Sequence, residues 1–423
     1  MRRTPRAPRP RLPWASDGAG LPAVQNDGPQ RLSHSRNVAR APRNGLARPF
    51  RLGPNLYLAQ TQPGFEGVAW EEIAASFNDA SEARRFGRNA AVRELARRNV
   101  PDRAGITIFT APRPEPLGLL RASEDVFAVV AYRYGLAADP AALERIAAIA
   151  REAPYVEQAL STRTRLMPGT RSGRRLRYRV IARMAGEHEF RRVDLARAIS
   201  RGVAERGDHS WRSSPDEADV EFWATLLSDE LILAIRLSDE RMRHSDYKVA
   251  HLPGSLRPSV AAVLALLSSP APEDVVLDPL CGAGTLLIER AHLGRYRLLI
   301  GCDRDARALS AARENVGPSY KPLELHPWDA TAVPLPDHSV GKIITNLPWG
   351  IRHGSHEENR RLYPRVLQEF NRLVQPGGKI VILTSETRLV SDLSTRGLFR
   401  PDKILRVSIL GAGAAVYVSS APS

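Results

Sequence analysis

The C-terminal half of the chain alternates short apolar runs with longer amphipathic segments, which predicts strands and helices in turn. Val275–Leu277 is such a run, and a Gly-rich turn and a helix predicted to begin at Thr285 follow it. Three more runs, in LLIGCDRD, LELHPWDA and GKIITNLPW, are each followed by polar residues. This pattern predicts an α/β fold with an open parallel sheet. The last segment, ILRVSILGAGAAVYVSS, predicts two strands around a Gly-rich turn.

The region before residue 250 has the pattern of α+β structure. A strand at Leu56–Gln60, a Pro-Gly turn and an amphipathic helix precede the apolar runs GITIFTAP and VFAVVAYRYGL. A long helix in PAALERIAAIAREA, a strand at Arg177–Ala182 and another helix follow. Two closing strands lie in DVEFWATLLS and LILAIRLS. We predict domains at 51–140, 141–245 and 250–423.

The helix after the strand at Arg177–Ala182 has an apolar side and a basic side. Its apolar positions step by three or four residues: Val193, Ala196, Ile199 and Val203. Its Arg residues fall between those positions: Arg191, Arg192, Arg197 and Arg201. We predict that the apolar side packs on a sheet and that the basic side faces outward, where it is either a solvated surface or a contact for phosphates.

Positive charge is concentrated near the N-terminus. The formal net charge is +15, and residues 1–50 contribute +8 from ten Arg against Asp17 and Asp27. This segment is rich in Pro, Arg, Gly and Asn without hydrophobic periodicity, so we predict a disordered basic tail. A polyanion is the first partner to consider. A general preference for Arg explains the excess equally well, since only five of the 61 basic residues are Lys. An organelle transit peptide is a further alternative for the tail.

The sequence shows no sign of a metal site or a membrane segment. Cys281 and Cys302 are too few for a disulfide framework and lack the spacing of a zinc site. We therefore expect no bound metal and a reducing, cytoplasmic setting. No apolar run approaches the roughly 18 residues that span a bilayer, so we expect no membrane insertion.

The predicted strands of the C-terminal sheet end at residues that suit a nucleoside ligand. The turn after Asp278 contains Gly282 and Gly284, which let the backbone approach a ligand, and the next helix offers free N–H groups. Asp303 is placed to accept hydrogen bonds from ribose hydroxyls, and Asp329 is placed to accept one from an adenine amino group. Leu occupies the position where a dinucleotide fingerprint needs a third Gly, which disfavours pyrophosphate binding.

DPLCGAGTLLIERA and the downstream NLPW together resemble the class I S-adenosylmethionine-dependent methyltransferases. NLPW is similar to the [DN]-P-P-[YFW] motif of enzymes that methylate exocyclic amino groups. With YRVIARMAGEHEFRRVDLARAISRGV included, residues 53–423 resemble the THUMP-domain RNA methyltransferases that make N2-methylguanosine. The resemblance implies a Rossmann-like domain with a mostly parallel seven-stranded sheet. It also implies a preceding α+β ferredoxin-like domain at 51–140 and a THUMP-like RNA-binding domain at 141–245.

The same resemblance implies S-adenosyl-L-methionine as the cofactor and RNA as the substrate, with guanosine N2 in the tRNA acceptor stem as the leading target. The candidate cofactor residues are Asp278, Gly282, Ala283, Gly284, Thr285, Asp303, Arg304, Asp329 and Ala330.

NLPW has a chemical interpretation. The lone pair of an exocyclic amine is delocalised into the base, so the amine is a poor nucleophile. The side-chain oxygen of Asn346 and the backbone carbonyl of Leu347 can accept its two hydrogens and aim the nitrogen at the methyl group. Pro348 fixes the bend, and Trp349 offers a face for stacking an extruded base. Leu347 stands where Pro is commoner in the family, and the backbone carbonyl survives that change.

The candidate RNA-binding residues are Arg174, Arg175, Arg177, Arg191, Arg192 and Arg352. Arg352, which follows the predicted catalytic loop, is either a contact to the RNA or a solvated residue at a helix start.

Two alternatives stay open at this stage. A ribosomal guanine-N2 or an adenine-N6 methyltransferase would use the same loop, because that loop serves several exocyclic amines. A non-catalytic RNA-binding protein belongs to another class, and the intact strand-end residues argue against it. The sequence does not indicate the oligomeric state.

Overall fold

The computed structural model describes residues 49–77, 92–101, 103–171, 173–239, 242, 246–350 and 355–422. All but the last two residues of the predicted basic tail at 1–50 lie outside these described residues, and so does Arg352.

The strands of both predicted N-terminal domains join into one eight-stranded sheet. They are Leu56–Thr61 (β1), Arg93–Val100 (β2), Ala104–Thr110 (β3), Asp125–Arg133 (β4), Arg175–Ala185 (β5), Ser210–Ser213 (β6), Val220–Leu227 (β7) and Glu230–Arg236 (β8). Their order across the sheet is β2-β3-β1-β4-β8-β7-β5-β6. Because β4 pairs with β8 in antiparallel register, a continuous ladder links the segments on either side of residue 140. The sequence pattern did not indicate β2 or β6, and the division into two domains stays a prediction.

Helices cover one face of this sheet. They are Glu66–Phe77 (α1), Ala142–Arg151 (α2), Val156–Leu166 (α3) and Arg192–Ala204 (α4), with a short 3-10 helix at Glu115–Leu119. Ile73, Ile146 and Ile199 from three of these helices share a buried core with Phe222 of β7. The predicted apolar side of α4 needs one correction, since Val193 is 43% exposed. Val193 lies in the first turn of α4, where it does not reach the sheet core that buries Ile199.

The C-terminal sheet has seven strands in the order β11-β10-β9-β12-β13-β15-β14, which confirms the predicted mostly parallel arrangement. The strands are Val275–Asp278 (β9), Leu298–Cys302 (β10), Leu323–His326 (β11), Val340–Asn346 (β12), Val374–Thr384 (β13), Lys403–Ile409 (β14) and Ala412–Ser420 (β15). The antiparallel pair β14 and β15 is the hairpin that the final segment predicts. Strand β11 is shorter than predicted. It ends at His326 because Pro327 has no N–H to continue the ladder, so Asp329 lies in the following loop.

Among the described residues, five helices accompany this sheet: Pro258–Leu267 (α5), Thr285–His292 (α6), Ala306–Val316 (α7), His356–Leu373 (α8) and Thr387–Thr395 (α9). Helix α5 starts with Pro258 in its first turn, where the N–H that Pro lacks would have no partner within the helix, and all ten of its residues are buried. Helix α6 begins at Thr285, as the sequence predicts. Within the described ranges, no helix combines the length and the apolar content that crossing a bilayer demands.

Helix α1 and the turn before it pack directly on the C-terminal domain. Phe65 and Val68 near the start of α1 share one apolar cluster with Leu264 of α5. At the same contact Gly64 has φ +99°, and a Cβ atom there would lie 2.3 Å from the carbonyl oxygen of Arg406. Only Gly fits this close approach, so the two parts of the chain are closely packed where they meet.

Candidate active site

The polar strand ends meet at one edge of the C-terminal sheet. Strand β9 lies between β10 and β12, and it is parallel to both. The carboxyl ends of adjacent parallel strands share an edge, so Asp278 at the end of β9, Asp303 after β10 and Asn346 at the end of β12 converge there. The chain continues from β9 to β10 and β11 on one side and returns to β12 on the other. This reversal is the switch point at which open α/β sheets bind ligands.

The Gly-rich turn between β9 and α6 is held by its own backbone and by Asp303. Gly282 has φ +51° and Gly284 has φ +76°, which L side chains rarely adopt. The carboxylate of Asp303 accepts the N–H of Gly282 at 3.0 Å and that of Asp305 at 2.9 Å. Asp303 therefore fastens the turn to the end of β10. Each of its oxygens keeps a second lone pair with which it can accept a ligand hydroxyl.

The carboxyl group of Asp278 is buried at the base of this turn. Only 1% of the residue is exposed, and burial raises its pKa from 3.8 to about 7, with a further contribution from the negative charge of Asp303. Burial likewise raises the pKa of the neighbouring Cys281 thiol well above its usual value. The thiol form is therefore favoured, so Cys281 is poorly suited to act as a nucleophile.

Asp329 and Arg304 lie on facing loops of the site. The carboxylate of Asp329 accepts the N–H and the hydroxyl of Thr331, both at 2.8 Å, and these hydrogen bonds lower its pKa. Arg304 Nη1 is 3.9 Å from Asp329 Oδ2. This exposed ion pair lies between the loops after β10 and β11. Ala330, which follows Asp329, is buried.

The loop after β12 carries the predicted catalytic residues. Leu347 is fully buried, and its N–H donates to the carbonyl oxygen of Leu383 at 3.0 Å, which extends the pairing with β13. The next two residues then leave the sheet. The indole Nε1 of Trp349 donates to the side-chain oxygen of Asn346 at 3.0 Å. The structure therefore brings Asn346, Leu347, Pro348 and Trp349 to the same sheet edge as the cofactor candidates.

Buried side chains hold the carbonyl of Pro348, and the sequence analysis missed them. Asn359 Nδ2 donates to this oxygen at 2.9 Å and Tyr363 Oη donates to it at 2.6 Å. Both residues belong to α8 and are at most 1% exposed. Asn359 also donates to Glu386 Oε1 at 3.0 Å. The only available signal was that Asn359 and Tyr363 stand four residues apart, on the helix face that continues as an apolar stripe.

The candidate RNA-binding arginines differ in whether a carboxylate pairs with them. Arg177 forms ion pairs with Glu217 and Asp219, and Arg191 forms one with Asp194. Arg174, Arg175 and Arg192 are exposed. Strand β6 runs parallel to β5 and places Arg212 opposite Arg177, so it adds an exposed Arg that the sequence analysis missed.

The residues at the sheet edge fit S-adenosylmethionine. Among the described residues, none beyond the turn itself has an atom within 4 Å of where a Cβ on Gly282 would stand, which leaves space over the turn. The N-terminus of α6 has no side-chain cap, so backbone N–H groups are available for a carboxylate. The buried carboxyl of Asp278 and the partly exposed Asp303 supply acceptors for an ammonium group and for ribose hydroxyls.

The sheet order and these strand ends define a class I methyltransferase fold. Residues 245–411 match the family model described as the RMKL-like methyltransferase domain, UPF0020. These residues are therefore similar to an RMKL-like methyltransferase domain, and the eight-stranded sheet precedes them.

The chain is also similar in sequence to individual proteins. The chain is 31% identical over 260 residues to tRNA (guanine(6)-N(2))-methyltransferase THUMP3 of Mus musculus, an alignment covering 57% of this chain and 51% of that protein. It is 26% identical over 277 residues to the tRNA (guanine(6)-N2)-methyltransferase of Methanocaldococcus jannaschii, covering 55% and 73%. The chain spans about half the length of the mammalian relatives it matches.

A solved structure matches most of the chain. The crystal structure of TrmN from Thermus thermophilus superposes with a TM-score of 0.66 at 25% sequence identity. The match covers 86% of this chain and 98% of the other, so the likeness includes the N-terminal region as well as the methyltransferase domain.

Proposed function

We propose that the protein is an S-adenosylmethionine-dependent RNA methyltransferase that modifies the exocyclic N2 of a guanosine in tRNA. The observation that carries this proposal is the position of Asn346, at the end of β12 and beside the strand end that holds Asp278. The names of the mouse and archaeal relatives support both the guanine-N2 target and the tRNA substrate.

The cofactor would be held along the edge formed by β10, β9 and β12. Asp278 and the turn at Gly282–Thr285 suit the amino-acid end, whereas Asp303 suits the ribose and Asp329 the adenine. When bound, S-adenosylmethionine supplies an electrophilic methyl group on a sulfonium. Arg304 and Ala330 would line the adenine end, because both adjoin the loops that carry Asp303 and Asp329.

The catalytic loop would act by positioning the target amine. The side-chain oxygen of Asn346 and the backbone carbonyl of Leu347 accept the two N–H hydrogens, which returns electron density to the nitrogen and fixes its direction. Pro348 sets the bend between these acceptors and Trp349, whose ring stacks the extruded base. The amine becomes acidic only as the new bond forms, so its proton can pass to water without a strong base.

The N-terminal sheet would hold the RNA. We propose a THUMP-like role for residues 141–245 and place phosphate contacts at the exposed Arg174, Arg175 and Arg192. The ion pairs of Arg177 and Arg191 support this assignment, because carboxylates already partly neutralise the charges of these two residues. RNA helices are recognised by shape and backbone more than by base edges, which suits a basic sheet beside a base-flipping domain.

The test is methylation of defined RNA pools. Purified protein is incubated with labelled S-adenosylmethionine and unmodified tRNA or rRNA, and the labelled nucleosides are identified by mass spectrometry. We expect N2-methylguanosine in tRNA and none with Asn346→Ala. Label in rRNA or in N6-methyladenosine would contradict the proposed substrate, and cofactor binding without label in any pool would favour a non-catalytic RNA-binding protein.

A further inference from the structure

The side-chain amide of Asn346 has two ends with opposite hydrogen-bonding character. Its oxygen accepts and its NH₂ group donates, and a rotation of 180° exchanges them. An exocyclic amine presents hydrogens, so it needs the oxygen. An amide that could turn freely would present its NH₂ group part of the time, which would repel the amine and block the productive geometry. Something must therefore fix which end faces the base.

The indole of Trp349 meets this need. Its Nε1 donates to Asn346 Oδ1 at 3.0 Å. Turning the amide over would place the NH₂ group against the indole N–H, donor against donor, and both groups would lose a hydrogen bond. A carbonyl oxygen has two lone pairs, so Oδ1 can accept the indole N–H and one amine hydrogen together.

The backbone on the N-terminal side of Trp349 is held by buried groups. The preceding carbonyl, that of Pro348, accepts hydrogen bonds from Asn359 and Tyr363. The ring of Trp349 also packs against the apolar cluster that contains Ile344. These contacts fix the position of the indole before a base binds.

The backbone on the C-terminal side is held as well. Gly350 follows with φ +68°, and a Cβ there would lie 2.8 Å from Glu386 Oε1. The other oxygen of Glu386 lies 2.8 Å from His356 Nδ1, at the start of α8. Helix α8 and the segment after β13 therefore pack against the backbone on both sides of Trp349.

We propose that Trp349 is a positioning residue whose indole N–H holds the Asn346 amide with its oxygen toward the target amine. This inference rests on the proposed methyl transfer to an exocyclic amine. Phe or Tyr at position 349 could stack a base but has no ring N–H at this place. The aromatic residue of the loop therefore acts through its nitrogen as well as through its face.

The first experiment compares Trp349→Phe with the wild-type protein, using the RNA that accepts the methyl group. Trp349→Phe keeps an aromatic face and removes the N–H. We expect kcat to fall about 10- to 100-fold, less than the roughly 10²- to 10³-fold loss when an oxyanion-hole donor is removed, because Trp349 acts through Asn346. The KM for RNA should change less than about threefold. Trp70→Phe, in a helix that packs against Phe109 away from the site, is the control and should leave both constants unchanged. An unchanged kcat in Trp349→Phe, or a change confined to KM, would overturn the proposal.

A double-mutant cycle separates positioning from stacking. In an Asn346→Asp background both carboxylate oxygens are acceptors, so no end needs to be selected, and adding Trp349→Phe should cost less than about threefold. If Trp349→Phe causes the same loss in the wild-type protein and in the Asn346→Asp variant, the ring acts by stacking alone.

A spectroscopic measurement tests the hydrogen bond without any turnover. In protein labelled with ¹⁵N-Trp, the indole resonance of Trp349 is assigned by its loss in Trp349→Phe. It should shift in Asn346→Ala while the other five indole resonances stay in place. A Trp349 resonance that does not move would refute the inference even if methyl transfer is established. A shifted resonance in a protein that methylates no RNA would refute the proposed function and leave the contact intact. If Asn346→Asp turns over too slowly for the double-mutant cycle, this resonance shift alone tests the proposal.

Discussion

Arg121 of the N-terminal region and Glu289 of α6 form an ion pair at the interface between the two parts of the chain. Arg121 Nε is 2.6 Å from Glu289 Oε2, and Arg121 Nη2 is 3.1 Å from Glu289 Oε1. Glu289 is fully buried and also accepts the hydroxyl of Tyr247 at 2.7 Å. The backbone N–H of Arg121 donates to the buried Glu72, whose pKa burial raises to about 7. The contact therefore joins the N-terminal region to α6, the helix that follows the Gly-rich turn.

Removing one partner of this pair should destabilise the whole protein. Arg121→Ala leaves the Glu289 carboxylate buried without its cation, which we expect to cost about 3–5 kcal/mol in the free energy of unfolding. Urea unfolding followed by fluorescence and circular dichroism measures the cost. Arg151→Ala is the matched control, because Arg151 pairs with Glu152 and Glu205 on the surface and should leave the midpoint nearly unchanged.

A double replacement tests whether the uncompensated charge is the cause. Arg121→Met with Glu289→Leu removes both charges and keeps an apolar contact, so it should recover most of the stability lost in Arg121→Ala. A double variant as unstable as the single one would show that the loss comes from packing.

The buried Asp278 predicts a pH dependence of stability. Its pKa rises from 3.8 to about 7 on folding, so between these values the folded protein holds a proton that the unfolded chain has lost. The contribution of Asp278 to the free energy of unfolding therefore falls as pH rises through this window, by at most about 4 kcal/mol. Asp278→Asn stays neutral and should lack this fall. Unfolding curves at several pH values, for both proteins, measure the difference, and parallel pH profiles would contradict the prediction.

Cofactor binding should release the proton held by Asp278. A cationic ligand favours the ionised carboxylate, so binding near pH 6.5 is expected to release up to one proton, and affinity should rise with pH until about 7. Calorimetric titration in buffers of different ionisation enthalpy counts the protons. Asp278→Asn should release none, and equal release from both proteins would assign the proton to another group. This prediction depends on S-adenosylmethionine being the ligand.

Asn315 links the segment before α5 to the Gly-rich turn between β9 and α6. Its amide accepts the N–H of Ala250 at 2.8 Å and donates to the carbonyls of Ala250 and Ala283, both at 3.0 Å. Asn315→Ala leaves the buried carbonyl of Ala283 and the partly buried backbone of Ala250 without these hydrogen bonds. We therefore expect about 2 kcal/mol of lost stability and weaker cofactor binding. Calorimetric affinity for S-adenosylmethionine is the measurement. Asn371→Ala, which removes an exposed hydrogen bond to the carbonyl of Leu398, should leave the affinity unchanged.

The main features of the candidate site at the sheet edge could be predicted because their signals are local in sequence. A β-strand, a Gly-rich turn and a helix start lie within about 20 residues around Asp278, and each has its own pattern. Asn346 was found because it ends an apolar run next to Pro and Trp residues. In a parallel sheet the strand ends share an edge, so these separate signals could be combined into one site.

The supporting residues could not be predicted because their partners are distant in sequence. Nothing near Asn359 indicates that it reaches the carbonyl of Pro348, 11 residues earlier, or Glu386, 27 residues later. The pairing of β4 with β8 joins residues about 100 positions apart, so the continuous N-terminal sheet could not be predicted either. The charge run of the basic region was visible, but which Arg residues are neutralised by carboxylates depends on the fold.

The division of these arginines predicts different salt dependences of RNA binding. Arg175 and Arg192 are exposed, whereas Arg177 is engaged by Glu217 and Asp219. If an exposed Arg neutralises a phosphate, replacing it with Gln should reduce the slope of log affinity against log salt by about one unit, because fewer counterions are released. Arg177→Gln should leave the slope unchanged. Fluorescence anisotropy with labelled tRNA between about 50 and 200 mM salt measures the slopes. If Arg175→Gln and Arg192→Gln also leave the slope unchanged, the RNA does not lie across this face, and the phosphate contacts proposed for residues 141–245 are wrong.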